Sequence, residues 1–390
     1  MAGYLFTFKE PEYLFESIET GTYSPLMALK WSGAAAATLA DFITMKPGDN
    51  VYLFSKRMVY GIGEIVDIID GICVAENHPK VTRKGGFVFN AKTPSLLKSG
   101  LETSSDHKKV QRWRILFKPS PKFFTQGVDM DDLLLSNTHA FRSLRVFWKR
   151  SFIKLDDEEN AAFKAALLRK NIDHLDDDEQ FACNYEATQH QMLSSKLTIE
   201  KPDIEGLILQ DRNENGFLNS EMILELGLLH QLTRSEFSAT QAFGKWDYLS
   251  HQIAASPMKA VDYMDRADVF GYTWISGYDN AFIEKYLVCE LKKGKINPDE
   301  DIRQLMKYVD WVCDEYANGD YSQIEAFLVG SKIGNYDIEA LLQLVLRSHL
   351  SGHRPPSNEI WNSVSLVTYQ AVDSGKLEFE RVVDFASVPL

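Results

Sequence analysis

The chain has little cysteine, no long apolar run and none of the common short signatures of zinc or nucleotide chemistry. Each absence removes a class of protein. Its 390 residues carry four cysteines, Cys73, Cys183, Cys289 and Cys313, far apart and without a CxxC pair. That spacing argues against a zinc ribbon or a disulfide framework, and a reducing cytoplasm fits it. No apolar stretch approaches the ~18 residues that a bilayer span needs, so no membrane association is expected. The opening MAGYLFTFKEPEYLF has no basic segment followed by a long apolar one, so no signal peptide is expected. HExxH does not occur, nor does GxxxxGK followed by Ser or Thr, so zincin and P-loop chemistry lack their signatures.

What is present is an ordinary globular composition, 45% hydrophobic and 25% charged, with a formal net charge of -13. The charge is uneven. Lys80 to Arg150 holds 15 Lys and Arg against 5 Asp and Glu, a local +10 that leaves the remainder at -23. A basic block inside an acidic chain suggests nucleic-acid contact, and its plainer reading is a solvated face on a basic domain.

The sequence pattern predicts an α/β (α+β) multidomain protein. Residues 1 to about 150 read as short strands with helical insertions. DNVYLFS, RMVYGIGEIVDI, GGFVFNA and VQRWRILFKPS are rich in β-branched and aromatic residues, and MKPGDN is a turn signal. This is the pattern of a small β-barrel and not of a βαβ sheet. SFIKLDDEENAAFKAALLRKN predicts a closing helix that starts near Asp156 and Asp157. Residues 173–215 are acidic, polar and weakly periodic, and read as a linker between a first domain at 1–172 and a second at 216–390. In the second, LNSEMILELGLLHQL, DIRQLMKYVDWVCDEYA and IEALLQLVLRSHL predict helices. RADVFGYTWI, IEKYLVCELKKG, QIEAFLVGSKI, SLVTYQAV and KLEFERVV predict strands. That order builds an α/β core on a central mixed sheet.

The chemistry concentrates at YLVCELKKGK. An apolar strand ends there in Glu290 and Lys292, and period-2 alternation puts both on one face. Asp268 lies near the start of the preceding strand, so a hairpin pairing sets it opposite Glu290. Two carboxylates that close repel and raise each other's pKa unless a cation sits between them. Mg²⁺ takes hard oxygen ligands and keeps several waters, so Asp268 and Glu290 make a half-shell for a divalent ion, with Mn²⁺ as a substitute. Lys292 points at the same place, where it can orient a water or stabilise developing charge. Asp279, in the turn GYDN, is a competing carboxylate read as a turn residue. His230, His251 and His349 form no motif and are assigned core or surface roles.

This pattern resembles the PD-(D/E)xK nuclease superfamily, and above all its RecB-like and NucS-like branches, over roughly residues 217 to 335. Asp268 is not preceded by proline, and its connection to Glu290 is long. The resemblance implies a restriction-endonuclease-like core and metal-dependent hydrolysis of phosphodiesters. It assigns Gln304 on the following helix, beside Arg303, and a carboxylate on the helix before the Asp strand, Glu225 in preference to Glu221. Arg303, Lys293 and Lys295 are then expected to hold flanking phosphates.

MAGYLFTF with MKPGDNVYLFSKRMVYGIGEIVDI resembles the EVE and other PUA-like barrels, over roughly residues 1 to 155. That resemblance implies a reader of flipped or modified bases, with Trp31, Tyr60, Trp113 and Trp148 as stacking candidates and Lys30, Ser32 and Arg57 as polar ones. The leading expectation is therefore a Mg²⁺-dependent DNA endonuclease of restriction or antiphage defence, cytoplasmic, and a homodimer or higher homo-oligomer. A NucS-like repair nuclease acting on mismatched or structured DNA is the second reading. A catalytically inactive nucleic-acid-binding protein on a nuclease fold is the third.

Overall fold

The computed structural model describes residues 1–25, 27–28, 33–68, 70–76, 80–81, 87–88, 109–110, 113–124, 126–142, 152–176, 185–188, 190–191, 201–256, 265–278, 282–352 and 355–389. Lys30, Trp31, Ser32, Trp148, Asp279 and most of the basic block lie outside them. The protein is mixed α and β, and divides into two compact units: Met1–Ala35 with Asp41–Pro202, and Asp203–Leu390 with Ala36–Ala40.

The first unit is built on β1 (Gly3–Phe8), α1 (Pro11–Thr20), β2 (Thr22–Tyr23), the two ends of α2 (Gly33–Ile43, whose Ala36–Ala40 falls to the second unit), β3 (Asn50–Ser55), β4 (Met58–Ile65) and β5 (Val74–Glu76). It continues through β6 (Trp113–Pro119), β7 (Val128–Asp129), α3 (Met130–Ser136), β8 (Phe152–Leu155) and α4 (Asp157–Lys170). The sheet runs β8-β1-β3-β4-β6-β2, with β7 added on β4 and β5 on β6. One pair, β1 with β3, is parallel, and helices α1 and α2 lie between those strands in sequence. At Gly61, φ is +58° and an added Cβ would lie 2.3 Å from the Phe123 Cα, so only glycine fits the GIG segment there. Helix α4 begins with a capping box: the Asp156 carboxylate accepts from the Glu159 N–H, and the Glu159 side chain accepts from the Asp156 N–H. Its Phe163 and Leu167 pack into a core with Leu5, Tyr52, Ile62 and Phe141.

The second unit opens with α5 (Ile204–Asp211), a helix inside the stretch read from sequence as linker. Then follow α6 (Glu221–Thr233), α7 (Phe237–Phe243), β9 (Tyr248–Ala254), β10 (Arg266–Trp274) and β11 (Ile283–Leu291). After these come α8 (Pro298–Glu315), β12 (Ile324–Gly330), α9 (Ile338–Val345), β13 (Val364–Ala371) and β14 (Leu377–Asp384). The sheet runs β9-β10-β11-β12-β13-β14. Its first three strands are antiparallel, β11-β12-β13 are parallel, and β14 returns antiparallel. Strand β11 is thus interior, and every residue from Tyr286 to Leu291 is buried. Helix α8 takes proline at its first turn with Asp299, Glu300 and Asp301 around it, which suits the positive end of the helix dipole. Its buried Ile302, Leu305, Met306, Val309 and Val312 recur at helical spacing. Where a helix was expected to continue through RSHL, Arg347–Ser351 instead pairs antiparallel with Ser357–Trp361.

Candidate active site

The geometry starts from the β10–β11 register. Val269 faces Cys289, so one step further Asp268 faces Glu290. Both side chains are buried, at 9% and 3% exposure. The ladder to β12 runs one residue past the strand, because the Lys292 N–H donates to the Val329 carbonyl at 2.8 Å. Lys292 therefore keeps the face of Glu290. Its ammonium donates to Glu290 Oε1 at 2.6 Å and to Gln304 Oε1 at 3.2 Å. The Gln304 amide donates in turn to the Tyr308 hydroxyl at 2.9 Å. Helix α8 thus holds the lysine in place from its first half.

Asp268 accepts the Leu291 N–H on Oδ2 at 2.7 Å and the Gln252 amide on Oδ1 at 2.8 Å. Glu225 comes from α6, whose run from Ile223 to Leu229 is buried throughout. A carboxylate in such a run requires donors. It finds His251 Nδ1 at 2.9 Å from Oε1, and the Gln252 amide at 3.3 Å from Oε2. Glu221, one turn earlier, is exposed and accepts the Lys293 N–H at 3.4 Å.

Glu290 Oε2 is the exception. It is buried and, among the described residues, has no hydrogen-bond partner. Burial pushes the Glu290 carboxyl up to about 7, against the pull of Lys292 and with Glu221 and Asp301 adding to the rise. Burial also raises Asp268 well above the ordinary carboxylate range, with the Glu290 and Glu225 charges adding to it. Desolvation is the largest influence on Lys292, pulling it down. Its hydrogen bond to Glu290 and the charges of Glu290, Asp301 and Glu221 outweigh that, and the ammonium is held above its usual value. Two buried carboxylates, one with an oxygen left over, are oxygen ligands that fit a hard divalent cation, with an ammonium beside them that does not itself ligate.

The other expected residues scatter. Arg303 and Lys295 are exposed. Lys293 donates from Nζ to the Asn219 carbonyl at 3.0 Å, and its own carbonyl accepts from the Tyr369 hydroxyl at 2.7 Å. In the first unit, Trp113 is fully buried with its ring 6.4 Å from that of Phe42, so it belongs to the core. Tyr60 is half-buried against Phe15, and Arg57 pairs with Asp131. Sequence reasoning missed Gln252 and gave His251 no partner. The one signal available was a polar pair interrupting an otherwise strand-like DYLSHQIA.

Among the described residues, a separate group, Glu205, His230 and Glu236, brings three possible ligand atoms within 4.8 Å of one another. Glu225, Asp268 and Glu290 do not form such a three-ligand group. The hydrogen bond from His230 draws Glu205 down to about 2. Lys376 lies 2.9 Å and Arg234 3.7 Å from Glu236, so cations already balance that cluster.

No protein-family model matches the chain, and no curated protein matches it. Among the described residues no helix is long and apolar enough to cross a membrane.

Proposed function

We propose that this chain is a Mg²⁺-dependent DNA endonuclease of the PD-(D/E)xK type, its second unit a restriction-endonuclease-like core and its first a PUA-like reader of modified bases. It is proposed to act as a homodimer in restriction or antiphage defence. The observation that carries the reading is the unpartnered Glu290 Oε2, buried opposite Asp268 and beside Lys292. Leaving a buried carboxylate oxygen without a partner costs about 1–3 kcal/mol or more, which the fold tolerates where the oxygen has another use.

Asp268 and Glu290 would hold the cation. When bound, Mg²⁺ lowers the pKa of water and neutralises charge at a scissile phosphate. Lys292, held by Glu290 and Gln304, stands ready to orient the attacking water or to stabilise charge building on the phosphate oxygens. Exposed Arg303 and Lys295 supply positive charge for flanking phosphates.

The test is cleavage of plasmid DNA with Mg²⁺ or Mn²⁺ by the wild type, Glu290→Ala and Lys292→Ala. Unmodified, methylated, phage-modified and mismatched substrates are compared. Cleavage that requires metal and vanishes in both variants supports the nuclease, and the preferred substrate separates defence from repair. Intact DNA binding with no cleavage of any substrate leaves a binding protein on a nuclease scaffold.

A further inference from the structure

The register that sets Asp268 opposite Glu290 extends one strand further. His251 faces Val269 and Ile253 faces Ala267, so Gln252 lies opposite Asp268. Gln252, Asp268 and Glu290 form one row across three strands. Within β9 the glutamine backbone is irregular. Its φ is +50°, a left-handed backbone that non-glycine residues rarely adopt and that gathers at functional sites.

This backbone has a visible consequence. Successive residues in a strand point to opposite faces. Yet His251 and Gln252 both reach the same Glu225 carboxylate. The positive φ marks a break in that alternation, and the Gln252 amide, in the row of Asp268, reaches both Asp268 and Glu225. A primary amide nitrogen carries two hydrogens. Here its two acceptors are carboxylates, Glu225 Oε2 at 3.3 Å and Asp268 Oδ1 at 2.8 Å.

We propose that Gln252 is a positioning residue of the metal site, a neutral clamp that ties Glu225 to Asp268 and fixes the Asp268 carboxylate for a divalent cation shared with Glu290. The inference rests on the metal-dependent reading above. The chemistry of the clamp is specific. An ammonium at this place would hold both carboxylates equally well, but it would neutralise them and compete with the cation. An amide donates to both and leaves their negative charge in place. Asp268 is then fixed through both oxygens, by Gln252 and by the Leu291 N–H, and each oxygen retains a lone pair for a metal. Groups that orient a ligand in this way are worth about 10- to 100-fold in metal affinity.

The experiment is Mn²⁺ titration of the full chain by calorimetry, with thermal melts alongside. It uses the wild type, Asp268→Asn, Gln252→Gly and Gln252→Lys. Gln252→Gly relieves the left-handed backbone while deleting the amide. Gln252→Lys keeps a donor for both carboxylates and adds charge. The expected result is Mn²⁺ binding by the wild type that Asp268→Asn abolishes. Both Gln252 variants are expected to melt within a few degrees of the wild type and to bind Mn²⁺ at least about tenfold more weakly. Wild-type Mn²⁺ affinity in the lysine variant, or in a folded glycine variant, overturns the clamp and leaves the metal site standing. A wild type that binds no Mn²⁺ overturns the metal site and the clamp together.

Discussion

Glu290→Gln separates stability from function, and the structure sets the size of the effect. Glu290 is buried beside Asp268, and its carboxyl is raised from an ordinary 4.5 to about 7. That rise already includes the help of Lys292. It corresponds to about 3 kcal/mol held against the ionised form in the metal-free protein. Between pH 4.5 and 7 the folded chain keeps the proton that the unfolded chain has lost. Unfolding free energy therefore falls as pH rises through that window, then levels off above it. Glutamine is uncharged at every pH and still offers Lys292 an acceptor. In EDTA the variant should match the wild type near pH 4.5 and exceed it by about 3 kcal/mol at pH 8. For a cooperative unit of this size, that is a rise in Tm on the order of 6–12 °C.

Metal is expected to cancel most of that lead at pH 8. If the site binds metal as proposed, Mn²⁺ at about 100 times its Kd should add about 2.7 kcal/mol to the wild type and nothing to a variant that has lost a ligand. The assay is a set of urea and thermal melts from pH 4.5 to 8, with EDTA and with Mn²⁺. A variant whose lead is the same at both ends of the pH range refutes the burial argument. Equal stabilisation of both proteins by Mn²⁺ refutes the assignment of Glu290 as a ligand.

Lys292→Ala is expected to lower plasmid cleavage by about 10²-fold or more, a loss typical of removing one charge-stabilising donor, while a gel shift shows DNA binding retained. His251→Ala strips Glu225 of its 2.9 Å partner inside a buried helix face and should cost about 1–3 kcal/mol in a urea melt. His251→Asn, which keeps a donor, should recover part of it. Trp113→Ala removes a fully buried ring and should cost about 3–5 kcal/mol, with DNA affinity unchanged in the fraction that stays folded. A selective loss of modified-base recognition with unchanged stability would instead restore Trp113 as a reader.

Much of the fold was legible because single elements carried clean periods. DIRQLMKYVDWV shows its helix in the spacing of Ile302, Leu305, Val309 and Val312, and YLVCEL shows an interior strand by being apolar throughout. The elements that escaped notice lack such a period. Strand β9 was not expected, because His251 and Gln252 interrupt its alternation and Gln252 carries a left-handed φ within it. Helix α1 hides in PEYLFESIET, where glutamates share the turns with the apolar positions. The parallel β1–β3 pair joins segments more than forty residues apart in sequence, and no local pattern announces it.

The candidate site divides along the same line. Asp268, Glu290 and Lys292 could be found from sequence because two adjacent strands and period-2 alternation suffice to bring them together. Gln304 follows because α8 is the next element. What sequence could not supply is the support behind them. Glu225 was preferred to Glu221, and the structure shows what separates them: Glu225 is buried and held by two donors, while Glu221 is exposed at the helix start. Those donors come from adjacent residues whose side chains share a target at a point where one φ is positive. Periodicity assumes a regular backbone, so it locates the carboxylates that regular strands present. It is blind to the irregular residue that fixes them, and a functional site is where such a residue is most to be expected.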